Sequence, residues 1–351
     1  MENIKSTFKE NDCIFLLKDL TGIIKETSLE EKEKLINQGI NYSEMISKEY
    51  PVSEEINDIF VTLLEEKRHE LAYYTGIISE EIFKRGNKDA IIVSLARAGS
   101  PVGALIKRYI KFKYNIEIPH YSISIIRDKG IDENALNYIR EKHPNGIMTF
   151  VDGWTGKGSI TRELRKSIKL YNEKYGTNIS DDLAVLADPA KLSAISGTTR
   201  DICIPNACLN STVSGLVSRT IHNRDLIKED DFHGAKIFED LKSSDMTNIF
   251  LDTVSSCFTN EDKEMTSQID CKYVENVLTK LANDFPICDI HKVKLSIGES
   301  SRALLRRKPY LLLVKNINNP DLSFVLHLAK EKNVEVIEYD TMDYECISLL
   351  I

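Results

Sequence analysis

The sequence predicts an α/β protein: an open, mostly parallel sheet with flanking helices, then a smaller α/β unit at the C-terminal end. Three observations carry this. Short apolar runs such as Ala90–Leu95 alternate with longer segments of helical periodicity. Several of these runs end in glycine-containing turns, as strands do when they hand over to a helix. The alternation fades in the polar stretch 245–284 and then restarts.

The elements follow in order. The segment up to about Tyr50 mixes short helical patterns with a turn at Asn41. Pro51 stops an element, and Ser53 followed by Glu54 and Glu55 opens a long helix. Ile59, Leu63, Leu64 and Leu71 keep its helical spacing to about Phe83, and Arg85-Gly86-Asn87 ends it. Ala90–Leu95 is a nearly continuous apolar run, the pattern of a strand buried on both faces. A helix over Val102–Tyr114, a strand over His120–Ile126 and a helix over Ala135–Lys142 come next. A third strand, Gly146–Val151, runs into a glycine-rich loop and a helix from Ser159 to Tyr175; Leu183–Ala187 is a fourth strand. The second unit reads as strand Lys292–Ile297, helix Glu299–Arg307, strand Tyr310–Val314, helix Leu322–Lys332 and strand Val334–Tyr339. With 351 residues, two domains are expected, 1–255 and 256–351, the second including a linker helix.

Composition narrows the function classes. A hydrophobic fraction of 42% with 28% charged residues belongs to a folded chain, not a disordered one. A net charge of −8 argues against broad coating of nucleic acid, which needs a basic surface, and leaves room only for a local basic patch. No apolar run approaches the roughly 20 residues that span a bilayer, and Met1–Lys5 leads into no signal-peptide core. The seven cysteines are scattered, odd in number and without a Cys-x-x-Cys pair. Reduced thiols in a cytoplasmic protein are therefore expected, and a zinc site is not.

Chemistry in such sheets gathers at the carboxyl ends of the strands. There the run Met148-Thr149-Phe150-Val151 delivers Asp152, and Gly153-Trp154-Thr155-Gly156-Lys157-Gly158-Ser159 follows. A glycine-rich turn opening a helix lets backbone N–H groups close around a phosphate, with the Thr155 and Ser159 hydroxyls as further donors. The spacing is too short for a Walker A loop. An apolar strand, then Asp and Thr-Gly-x-x-Ser, resembles the phosphoribosyl-pyrophosphate loop of type I phosphoribosyltransferases. The upstream Ser94-Leu95-Ala96-Arg97-Ala98-Gly99 resembles their pyrophosphate loop.

That resemblance implies an enzyme that displaces pyrophosphate from phosphoribosyl pyrophosphate with the help of Mg2+, which Asp152 would hold indirectly through the ligand. It implies that Arg97, Ala98 and Gly99 grip pyrophosphate, that Thr155 to Ser159 hold the phosphoribosyl phosphate, and that Arg127 and Lys129 lie on a closing loop. Gly153 stands where those enzymes carry a second acid. The polar segment Ile204–His222 implies acceptor contacts from Asn210, Ser214 and Arg219.

Together with Cys208-Leu209-Asn210-Ser211-Thr212-Val213-Ser214-Gly215-Leu216, these motifs resemble a narrower bacterial family over roughly Phe15 to Phe250. Its members are phosphoribosyltransferase-like, associated with tellurite-resistance and stress operons, and also labelled cysteine protease StiP. The protease label implies a thiolate and a base. Cys208 with His222 is the first pair for it, and Cys203 and His233 are alternatives. A non-catalytic sensor of a phosphoribosyl ligand or nucleotide is a third reading. Ile297-Gly298-Glu299-Ser300-Ser301-Arg302, continuing through Arg306-Arg307-Lys308, resembles the PELOTA RNA-binding domain, related to kink-turn-binding ribosomal proteins. The resemblance implies RNA contacts by Glu299 and Arg302 and phosphate contacts by Arg302, Arg306, Arg307 and Lys308, while Gly298 replaces an asparagine used for base reading.

Overall fold

A computed structural model describes residues 4–28, 31–32, 34–35, 38–265, 269–286, 289–306 and 308–350. The central sheet has six strands: β1 (Ile14–Phe15), β2 (Ala90–Leu95), β3 (His120–Ile123), β4 (Ile147–Trp154), β5 (Leu183–Ala187) and β6 (Ile195–Thr198). Their order is β1-β3-β2-β4-β5-β6, and all five pairings are parallel. Every residue of β2, β3 and β5 is buried, as expected where helices cover both faces.

The long helix α1 (Glu54–Gly86) opens where the sequence places it, with the Ser53 hydroxyl accepting from Ile56 N at 3.3 Å. Helix α2 (Gly99–Tyr114) follows β2, and α3 (Glu133–Lys142) precedes β4. Helix α4 (Ser159–Tyr175) leaves the glycine-rich loop, with Gly158 at φ +74° as its first turn begins. Helices α5 (Thr247–Ser255) and α6 (Tyr273–Asp284) fill the polar stretch between the two sheets.

The second sheet consists of β7 (Val293–Leu295), β8 (Leu311–Val314), β9 (Glu335–Glu338) and β10 (Cys346–Leu349), in the order β7-β10-β8-β9. Only β8–β9 is parallel. Helices α7 (Ile297–Arg306) and α8 (Ser323–Glu331) complete this unit. Strands β1, β6 and β10 were not anticipated from the sequence. The expected strand His120–Ile126 stops at Ile123, because Ile125–Ile126 turns into a two-residue hairpin with Gly130–Ile131. Among the described residues, no helix is long and apolar enough to cross a membrane.

The two units are joined by buried polar contacts. Asp201, 5% exposed, accepts from Ile297 N at 3.0 Å, at the amino end of α7, and from Glu345 N at 2.9 Å. The Tyr344 hydroxyl donates to Gly156 O at 2.8 Å. At the surface, Lys191 and Asp343 add an exposed ion pair at 2.6 Å.

Candidate functional site

The glycine-rich loop lies at the carboxyl end of β4, but its polar groups are turned to structural partners. The Thr155 hydroxyl donates to Asp188 Oδ1 at 2.5 Å and accepts from Ala190 N at 3.2 Å. Lys157 Nζ donates to Ile290 O at 2.6 Å; burial, with Lys294 nearby, lowers its pKa to about 8. Glu299 covers Gly156, where an added Cβ would stand 2.5 Å from the Glu299 carboxyl carbon. The Asp152 carboxylate accepts from Gly153 N at 2.8 Å, and burial pushes it up to about 6.

The upstream loop is engaged too. Arg97 is 7% exposed, pairs with Glu49 at 2.5 Å and donates to Val217 O at 2.9 Å. Ala98 precedes α2, and Gly99 is there for close packing: a Cβ would meet Val151 O at 2.2 Å. Arg127 and Lys129 belong to the tight hairpin turn, where Arg127 Nε lies 3.3 Å from Asp128 Oδ2 and Asp128 N donates to Glu163. A magnesium–pyrophosphate seat does not fit these residues. Of the carboxylates at this loop, Asp152 is bound to its neighbouring amide, Asp188 accepts from the Thr155 hydroxyl, and Glu299 covers Gly156. Among the described residues, no group of three or more His, Cys, Asp or Glu side chains is placed for a metal.

Asn210, Ser214 and Arg219 come together at the domain junction. Asn210 Oδ1 accepts from Arg306 at 3.1 Å, Ser214 Oγ donates to Asn210 O at 3.1 Å, and Arg219 donates to the carbonyls of Tyr42 and Met45. The face of α7 meets them. Arg302 lies over the Trp154 ring at 4.6 Å, and a Cβ on Gly298 would stand 2.3 Å from Trp154. Glu299 is half-buried, Lys308 is exposed, and Arg307 lies outside the described residues.

The structure does not pair Cys208 with His222. Cys208 is fully buried; its thiol neighbours Cys203, and burial pushes it far up from the ordinary range. His222 lies instead beside His233, ring centroids 4.6 Å apart and the planes tilted by 51°. His233 is itself buried, hydrogen-bonded to Ser124 Oγ at 2.8 Å, and held neutral to about pH 3 by burial. A thiol that cannot ionise and has no base beside it is an inert packing group.

Sequence reading missed two other thiol environments. Cys257 Sγ lies 3.9 Å from His69 Nε2 near the carboxyl end of α5, where it also donates to Thr253 O at 3.7 Å. Cys271 is exposed, in the turn before α6, and lines a cavity of 470 Å³ together with His291, Lys157, Arg162 and Ser159. Leu192, Val274 and Leu278 form apolar parts of its wall. Neither pair carries a sequence signature, because their spacings of 188 and 20 residues are set only by the fold.

Residues 6–255 match the family described as tellurite-like stress resistance cysteine protease StiP, and residues 273–351 match the PELOTA RNA binding domain. The chain is 30% identical over 367 aligned positions to a protein of Acinetobacter baylyi named cysteine protease StiP, covering 99% of this chain and 94% of that one. These matches correct the expectation of a phosphoribosyltransferase acting on phosphoribosyl pyrophosphate: the relative is named a protease. The partnered Arg97 and Thr155 and the covered Gly156 are consistent with that correction. By both measures, the chain belongs to the StiP family, with a C-terminal segment of the PELOTA type.

Proposed function

We propose that the chain is a cysteine peptidase whose nucleophile is Cys271 and whose base is His291. The observation that carries the activity is the match along 99% of the chain to a protein named a cysteine protease. The assignment of the residues rests on the cavity and on comparison with the other described cysteines; Cys288 lies outside the described residues. Cys203 is fully buried, and burial pushes the thiols of Cys13, Cys208 and Cys346 far above their ordinary range. Cys257 lies 3.9 Å from an imidazole, but it is not among the residues that line the cavity. Cys271 is exposed, precedes the amino end of α6 and shares its cavity with His291, Lys157, Arg162 and the amino end of α4.

In the reaction, His291 takes the Cys271 thiol proton and the sulfur attacks the scissile carbonyl carbon. The first N–H groups of α4, which have no acceptor within the helix, would be the donors for the oxyanion. The C–N bond breaks as the imidazolium returns the proton to the leaving amine. Water then hydrolyses the thioester, with His291 as base. Thiol and imidazole are not hydrogen-bonded here, so substrate binding has to bring them together, as catalytic pairs often do. The apolar wall formed by Leu192, Val274 and Leu278 suits an apolar peptide side chain.

The test is a thiol-directed peptide electrophile with mass-spectrometric mapping, combined with a casein-cleavage assay. Adduct on Cys271 and loss of cleavage in Cys271→Ala are expected. Adduct on Cys257, with cleavage lost only in Cys257→Ala, would move the nucleophile beside His69. Absence of both adduct and cleavage in the intact chain would reject the peptidase.

A second reading applies to the C-terminal segment. Its match to a PELOTA RNA binding domain supports RNA as a partner there. A gel-shift series against structured and single-stranded RNA checks it, and equal failure with both would reject it.

A further inference from the structure

We infer that RNA docks in the junction between the two units, on a surface built jointly by α7 and the N-terminal segment, and not on the C-terminal unit alone. The inference rests on the RNA reading of residues 273–351. All three arginines of that stretch, Arg302, Arg306 and Arg307, lie on or directly after α7. Arginine is the side chain whose planar fork matches phosphate. In the structure α7 faces the N-terminal unit. Arg302 lies over the Trp154 ring at 4.6 Å, and Arg306 reaches Asn210 Oδ1 at 3.1 Å.

The N-terminal side contributes cations of its own. Arg97 and Arg306 lie close enough to both Arg219 and Arg302 for like charges to repel. Burial first, and that repulsion second, lower the pKa of Arg219 and Arg302 to about 10 each. The acids facing the cluster do not balance it. Glu49 is committed to Arg97, while burial pushes Asp152 up to about 6 and raises Glu299. Two guanidinium nitrogens in the junction, Arg302 Nε and Arg219 Nη1, are buried without a hydrogen-bond acceptor. A buried donor left unpaired costs about 1–3 kcal/mol, which an entering phosphate oxygen would recover.

The junction also offers an aromatic face and an opening. Trp154, Asn210, Arg219 and Arg302 are half-buried and Arg306 is exposed, so solvent reaches the cluster from one side. Indole beside convergent guanidinium groups is the combination that holds a single strand: the ring stacks a base while the cations bind backbone. The net charge of −8 is compatible with this, because the attraction is local to the cluster.

Trp154 is the only tryptophan in the chain, so its fluorescence reports on the junction without mutation. The probe is a fluorescein-labelled single-stranded RNA, titrated into the full chain by anisotropy and, unlabelled, by tryptophan emission. RNA is expected to shift or quench Trp154 emission with the same midpoint as the anisotropy. Arg219→Ala, outside the matched RNA domain, should weaken binding roughly tenfold, as Arg306→Ala does, and flatten the salt dependence. Because Arg219 also holds the carbonyls of Tyr42 and Met45, Asn210→Asp is the second variant, and it should weaken binding by placing an acid in the cluster. Binding with unmoved Trp154 emission, or lost in Arg306→Ala but intact in Arg219→Ala and Asn210→Asp, would overturn the junction and leave the RNA reading standing. No binding to the intact chain would overturn the RNA reading itself, and the junction with it.

Discussion

Asp201 is the pin between the two units, and replacing it tests how they are held. Its carboxylate accepts from Ile297 N at 3.0 and 3.1 Å and from Glu345 N at 2.9 Å, in a site only 5% exposed. Asp201→Ala leaves two buried amides without an acceptor, at about 1–3 kcal/mol each, or about 2–6 kcal/mol in total. Burial outweighs the pull of the amides and raises the Asp201 pKa to about 7. At pH 6 the wild-type carboxyl is therefore mostly neutral, and relief of a buried charge does not offset the loss. Urea denaturation at pH 6, followed by far-ultraviolet circular dichroism, gives the difference. The sign of the pH dependence is also fixed. An acid with a raised folded pKa loses stability as pH climbs from its ordinary 3.8 towards 7, by about 1.4 kcal/mol per unit. The advantage of wild type over the non-ionising Asp201→Asn should thus shrink by about 2 kcal/mol between pH 5 and 7. An Asp201→Ala cost below about 1 kcal/mol at pH 6, or a gap that widens with pH, would refute the pin.

Gly298→Ala drives a methyl group to 2.3 Å from the Trp154 ring. It should cost about 1–3 kcal/mol and shift tryptophan emission, read in one fluorescence-detected melt. Cys208→Ala should leave peptide-probe labelling and casein cleavage unchanged, since the thiol is buried beside Cys203, while lowering stability by about 1 kcal/mol in the same melt. His233, held neutral to about pH 3, makes the folded chain lose stability as pH falls through the ordinary histidine pKa of about 6.5. His233→Asn should flatten that acid limb by about 1 kcal/mol per pH unit, measured by urea denaturation at pH 6.5 and 5. Lys157→Met removes a cation from the Cys271 cavity and should slow labelling of Cys271 by an anionic thiol reagent several-fold at pH 7. In wild type that assistance fades above about pH 8, where Lys157 loses its proton.

The sequence by itself determined the parallel sheet and the order of its main elements. Ala90–Leu95 and Leu183–Ala187 are strands with the boundaries their apolar runs predict, and Ser53 caps the helix it announces. Such features are local: an apolar run, a cap or a glycine turn acts within a few residues. Ile14–Phe15, only two residues long, and Ile195–Thr198, broken by a glycine, carry too little apolar pattern to be seen and exist through their neighbours. The candidate site was legible only as a list of suitable residues. Cys208 and His222 are close in sequence, yet the fold buries one and turns the other towards His233. Cys271 and His291 share a cavity, and Arg306 meets Asn210, because segments that no local pattern links are packed against each other. The glycine-rich loop shows the division most clearly. Its glycines and its place after β4 were written in the sequence. That Thr155 bonds Asp188, that Lys157 points to Ile290, and that Glu299 covers Gly156 were decided by long-range packing, which no local spacing encodes.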